Sequence, residues 1–162
     1  MGIDPGLTRM GVGVVDKEGN RLRVVACDTI ATAPTDAVPQ RLERIYAGLR
    51  ELIAASEPDT VAVERIFYAI NAKTVVPVAE ARGVALLAAA QSGLPVFEYA
   101  PLEVKLAIVG NGSATKDQVA FMVNRLLGGG VHTRTPDAAD ALAVAICHLH
   151  SHRVRAAGAV PR

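Results

Sequence analysis

Over the first thirty positions, short β-branched runs alternate with turn residues. Met1–Asp4 runs into the turn pair Pro5-Gly6, and Gly11–Asp16 (GVGVVD) is followed by Lys17–Asn20 (KEGN), a hairpin loop. Leu22–Ile30 then returns as a third strand. Two-residue alternation is imperfect in these runs, so the strands are expected to be buried on both faces and to form an antiparallel meander. The pattern then changes period. Leu42, Ile45, Tyr46, Leu49, Leu52 and Ile53 recur at helical spacing between Pro39, which suits a first turn, and Pro58, which lies beyond the end.

Thr60–Glu64 (TVAVE) reads as a fourth strand, apolar until its last residue. Ala72–Ser92 reads as a long helix whose second half (VALLAAA) is apolar around most of its circumference. Such a helix is buried on more than one side, in a core or against a second subunit. Gly93 ends it and Pro95–Tyr99 forms a fifth strand. Helices follow at Leu102–Val109, at Thr115–Leu127, where Thr115 and Gln118 have capping-box spacing, and from Pro136, capped by Thr135, to about His150. This order predicts an α/β fold: a mixed five-stranded sheet, a three-strand antiparallel meander plus two parallel strands, flanked by helices.

Composition narrows the class. At 162 residues and 51% hydrophobic, the chain fits one domain, assigned to residues 1–151. Residues 152–162 carry three arginines without periodicity and are expected to form a flexible basic C-terminal tail. No apolar run approaches the roughly 18 residues of a membrane span, and the first residues do not read as a secretory signal. Cys27 and Cys147 are too few and too distant for a disulfide framework, so buried free thiols in a reducing cytoplasm are expected. The net charge of +1 excludes a partner held by bulk positive charge. Any polyanion needs a local patch, and the balance of seven Lys and Arg against four Asp and Glu in residues 101–162 is compatible with one.

Four carboxylates stand where a strand should end or a helix begin. Asp4 closes the first strand and Glu64 the fourth. Asp137 and Asp140 share one face of the last helix. If the two strands are neighbours and that helix crosses their ends, all four acids converge, and repulsion makes the cluster untenable without divalent cations. Oxygen donors without His or Cys suit Mg²⁺, with Mn²⁺ able to substitute, and two such ions per site would activate water and stabilise a leaving oxygen. Taken singly, each acid has a plainer reading: Asp137 and Asp140 as complements of the helix dipole, Asp4 as a turn residue. His132, His148, His150 and His152 lack metal-ligand spacing and read as helix-end or solvent residues.

Gly2-Ile3-Asp4-Pro5-Gly6, Val63-Glu64-Arg65-Ile66-Phe67, Ala81-Arg82-Gly83-Val84, Val96-Phe97-Glu98-Tyr99-Ala100 and Pro136-Asp137-Ala138-Ala139-Asp140-Ala141-Leu142-Ala143 occur in order at fitting spacing. With Asn71-Ala72, Val104-Lys105, Gly112-Ser113-Ala114 and Lys116, they resemble the RuvC family of Holliday junction resolvases over nearly the whole chain. The resemblance implies a ribonuclease H-like fold and a homodimer that nicks four-way junction DNA symmetrically during recombination and repair. It also implies work alongside the branch-migration proteins RuvA and RuvB. By resemblance, Asp4, Glu64, Asp137 and Asp140 are the metal-binding catalytic acids, Lys105 and Lys116 hold the scissile strand, and Phe67 stacks on an unpaired base.

The residues agree with those roles. Phe67 and its neighbour Tyr68 follow Glu64 where a strand gives way to a loop, and a base stacked there is worth about 1–3 kcal/mol. Lys105 and Lys116 flank the turn Gly110-Asn111-Gly112-Ser113, which suits a phosphate backbone. Asp4-Pro5-Gly6-Leu7-Thr8 also spells the phosphate loop of actin-like ATPases, but the chain is too short for two such domains. A non-catalytic junction-binding module and a ribonuclease H-like nuclease of other substrates are the remaining rivals.

Overall fold

The computed structural model describes residues 1–66, 72–129, 133 and 135–158, with backbone alone for 72–74 and 152–158. Five strands, β1 (Gly2–Asp4), β2 (Arg9–Glu18), β3 (Arg21–Ala31), β4 (Val61–Glu64) and β5 (Val96–Tyr99), lie in the order β3-β2-β1-β4-β5. β1, β2 and β3 pair antiparallel, while β4 runs parallel to both β1 and β5. The meander and the two parallel strands are thus present as expected. The β2–β3 hairpin turns at Gly19-Asn20, tighter than the four-residue loop expected, because Gly19 adopts the φ of +61° that such a turn requires.

The helices are α1 (Val38–Ser56), α2 (Ala72–Gln91), α3 (Pro101–Val109), α4 (Lys116–Leu126) and α5 (Pro136–Gly158). They divide between the two faces of the sheet. α1 and α2 cover one face, where Ile45, Leu49, Ala81, Ala85 and Ala88 pack with Ile3, Met10, Val12, Val61 and Val63. On the other, Val104, Val119, Val123, Leu142 and Ile146 of α3, α4 and α5 pack with Ala62 and Tyr99. Met10–Val15 of β2 are buried throughout, as expected for a strand covered on both sides. β3 departs from that expectation: as the sheet's edge strand it is buried in full only at Leu22.

Three further expectations change. α5 continues to Gly158, well past His150 and into the stretch read as a tail. His148 is a core residue, 6% exposed, with Nδ1 2.8 Å from the Tyr99 hydroxyl and Nε2 3.1 Å from Thr60 Oγ1, so its two nitrogens tie α5 to β5 and to the entry of β4. Both cysteines are free, but only Cys147 is buried; Cys27, on edge strand β3, is half-buried. α2, expected to be buried in a core or against a second subunit, packs Ala81, Ala85, Ala88 and Ala89 with α1 and the sheet, and Val76, Ala79, Gly83, Leu87 and Ala90 form an exposed stripe along its length.

α5 can lie so close to the sheet because its floor is glycine. A Cβ on Gly2 would strike the backbone of Ala141 and Ala145, and one on Gly11 would strike the carbonyl of Asp137. The first turn of α5 is therefore seated directly on β2.

Candidate active site

Strand register delivers the first two acids. β1 and β4 pair Ile3 with Val63, so the next residues, Asp4 and Glu64, stand side by side at the strands' C-terminal ends. Side chains alternate across a sheet. Ile3 and Val63 enter the core beneath α1 and α2, which directs Asp4 and Glu64 to the opposite face, where α5 crosses. The loop that follows Asp4 is pinned from behind: buried Arg41 donates to Thr32 Oγ1 (2.9 Å) and Thr8 Oγ1 (2.8 Å), while Thr32 Oγ1 donates to the Leu7 carbonyl (2.6 Å).

Asp4, Glu64 and Asp140 line one cavity of about 270 Å³ together with Lys105, Lys116, Pro101, Val104, Val119 and Ala143. The structure thus brings together three of the four acids singled out in the sequence and both lysines. Asp137 stands at the margin of this cavity, one turn back along α5, where Arg9 Nε donates to its Oδ2 at 2.6 Å. Lys116 Nζ donates to Asp140 Oδ2 at 2.9 Å. Phe67 and Tyr68 lie outside the described residues.

Apolar walls and mutual repulsion set the electrostatics. Burial pushes the Asp4 carboxyl up to about 7, and Glu64, Asp140 and Asp137 add to the effect against the opposing charge of Lys116. Glu64 is raised for the same two reasons, burial first and Asp140 second, with Lys116 and Lys105 opposing. The hydrogen bond to Asp140 holds the Lys116 ammonium above its ordinary range.

Among the described residues, no three acidic, His or Cys side chains already converge as a ligand set. Asp137 and Asp140 are instead paired with Arg9 and Lys116. The donor set nonetheless fits a hard divalent ion: carboxylate oxygens only, in a partly apolar hollow where one acid is already forced toward neutrality.

Two contributors escaped the sequence reading. Arg9 follows a turn and reads as a solvated cation, since nothing local reveals a partner 128 positions away. Arg41 carried a weak signal, because it directly precedes Leu42 on the apolar stripe of α1, where a charge must find partners.

The family model described as crossover junction endodeoxyribonuclease RuvC matches residues 1–148. A protein of that name from Syntrophomonas wolfei subsp. wolfei is 51% identical over 154 residues, covering 95% of this chain and 90% of that one. Another from Rubrobacter xylanophilus is 52% identical over 160 residues, covering 99% and 89%. Among solved structures, Thermus thermophilus RuvC in complex with a Holliday junction substrate superposes with a TM-score of 0.88 at 38% identity, over 94% of this chain and 93% of that one.

Proposed function

The chain belongs to the RuvC family of crossover junction endodeoxyribonucleases, with the family's ribonuclease H-like fold; it is an endonuclease that resolves Holliday junctions, and we propose that it does so at the hollow formed by Asp4, Glu64, Asp137 and Asp140. The observation that carries this assignment is the meeting of Asp4, Glu64 and Asp140 in one cavity with Lys105 and Lys116.

Nucleases of this family are metal-dependent, and we assign Mg²⁺, replaceable by Mn²⁺, as two ions per site. When bound, such ions supply a nucleophilic water and stabilise the charge on the departing 3′-oxygen. The four carboxylates hold them, with Asp4 and Glu64 fixed by strand register and Asp137 and Asp140 by the seat of α5. Lys105 and Lys116, on the cavity wall, neutralise the scissile phosphate and keep it against the acids. Val104, Val119 and Ala143 limit water on the remaining side. Phe67 and Tyr68 are assigned to the opened crossover as stacking residues.

Paired nicks need two sites, so the working form is a homodimer on four-way junction DNA. The exposed apolar stripe of α2 supports that contact. RuvA and RuvB are the expected partners and the cytoplasm the expected compartment; no helix among the described residues is long and apolar enough to cross a membrane. Residues 1–151 form the nuclease domain, with 152–162 as a basic extension.

The test is cleavage of a synthetic four-way junction against linear duplex and RNA:DNA hybrid competitors in Mg²⁺. The assignment expects paired nicks in the junction and retained junction binding without cleavage in Asp140→Asn. Comparable cleavage of linear duplex or hybrid, or persistent cleavage in that variant, contradicts it.

A further inference from the structure

The Arg9–Asp137 pair joins the first residue of β2 to the first turn of α5. The scaffold delivers both partners. Arg9 is held by its pairing with Ala31 and by the pinned loop before it, and Asp137 by its carbonyl resting on Gly11. The pair is nevertheless open to solvent, with side-chain exposures of 47% and 28%. An ion pair so exposed is worth only about 0.2–1 kcal/mol. It contributes little to the fold and can be broken by a divalent ion.

Arg9 also has somewhere to go. It lines a cleft of about 520 Å³ with Cys27, Asp28, Thr29, Thr135 and Ala138, so open space lies beside its side chain. Lys116 has the same relation to Asp140 on the other flank of the helix. Each acid of α5 therefore carries its own cation from a different element.

We propose that Arg9 is a positioning residue of the metal centre: a resident counter-cation that competes with the divalent ion for Asp137 and sets how much metal the site requires. The inference rests on the assignment of Asp137 as a metal ligand. While no ion is present, Arg9 keeps Asp137 from adding its full charge to the buried repulsion around Asp4. Once an ion takes the carboxylate, the same guanidinium withdraws into the cleft.

Calorimetric titration with Mn²⁺, without DNA, separates this role from a merely structural one. Arg9→Gln should tighten Mn²⁺ binding by roughly two- to fivefold, the gain from losing a competitor of that strength. Arg9→Lys, which keeps the charge, should bind close to the parent, and Asp137→Asn should bind more weakly. Unchanged or weaker binding in Arg9→Gln, with Asp137→Asn still weakened, overturns the counter-cation and leaves the ligand assignment standing. Unchanged binding in Asp137→Asn overturns both.

Discussion

Asp4 is a carboxylate buried among other acids, and the consequence is measurable as stability. Burial pushes its carboxyl from an ordinary 3.8 up to about 7, so between those values the folded state holds a proton that the unfolded chain releases. The resulting penalty is absent below about pH 4, grows as pH rises, and is complete above about pH 7. Urea unfolding of the metal-free protein in EDTA should therefore show stability rising as pH falls from 8 to 5, by roughly 2–3 kcal/mol from this group. Asp4→Asn should remove most of that slope, and saturating Mg²⁺ should flatten it in the parent. Arg41 works on the same residue from outside the site. Arg41→Met leaves Thr8 and Thr32 without their donor and should cost about 1–3 kcal/mol, readable as a lowered urea midpoint.

At the scale of elements, α5 is placed by what the strands lack. Gly11→Ala would drive a methyl into the Asp137 carbonyl, so the first turn of α5 must lift. A stability loss of about 1–3 kcal/mol is expected, and cleavage should fall much further, because Asp137 and Asp140 move with that turn. Urea melts and junction cleavage measured side by side check this. The elements themselves were legible because each has a clean periodicity: the α1 stripe at Leu42, Ile45 and Leu49, the TVAVE run closed by Glu64, the Thr115–Gln118 box. The capping box forms as spaced, Gln118 N donating to Thr115 Oγ1 at 3.3 Å. Pairings that span the chain were not legible from any local pattern. Arg9 with Asp137 and His148 with Tyr99 depend on how α5 docks, and docking leaves its trace only in glycines that look like turn residues.

For the whole molecule, the question is how one hollow becomes two coordinated cuts. α2 turns Ala81, Ala85 and Ala88 toward α1 and the sheet and leaves Val76 and Leu87 more than half exposed. If the proposed homodimer forms through that stripe, Leu87→Glu should shift sedimentation at micromolar concentration from dimer to monomer while leaving the fold intact. Single nicks should then replace paired ones. The convergence of the acids could be foreseen from their positions at element ends, but only strand register and the glycine floor explain why Asp4, Glu64 and Asp140 share a cavity while Asp137 sits at its edge with Arg9. The most direct test is a crystal of the protein soaked in Mn²⁺, with anomalous scattering used to locate the metal. The account predicts Mn²⁺ peaks within the hollow bounded by Asp4, Glu64 and Asp140, with Asp137 drawn in and Lys116 moved off Asp140. Strong peaks elsewhere and none in that hollow would contradict it.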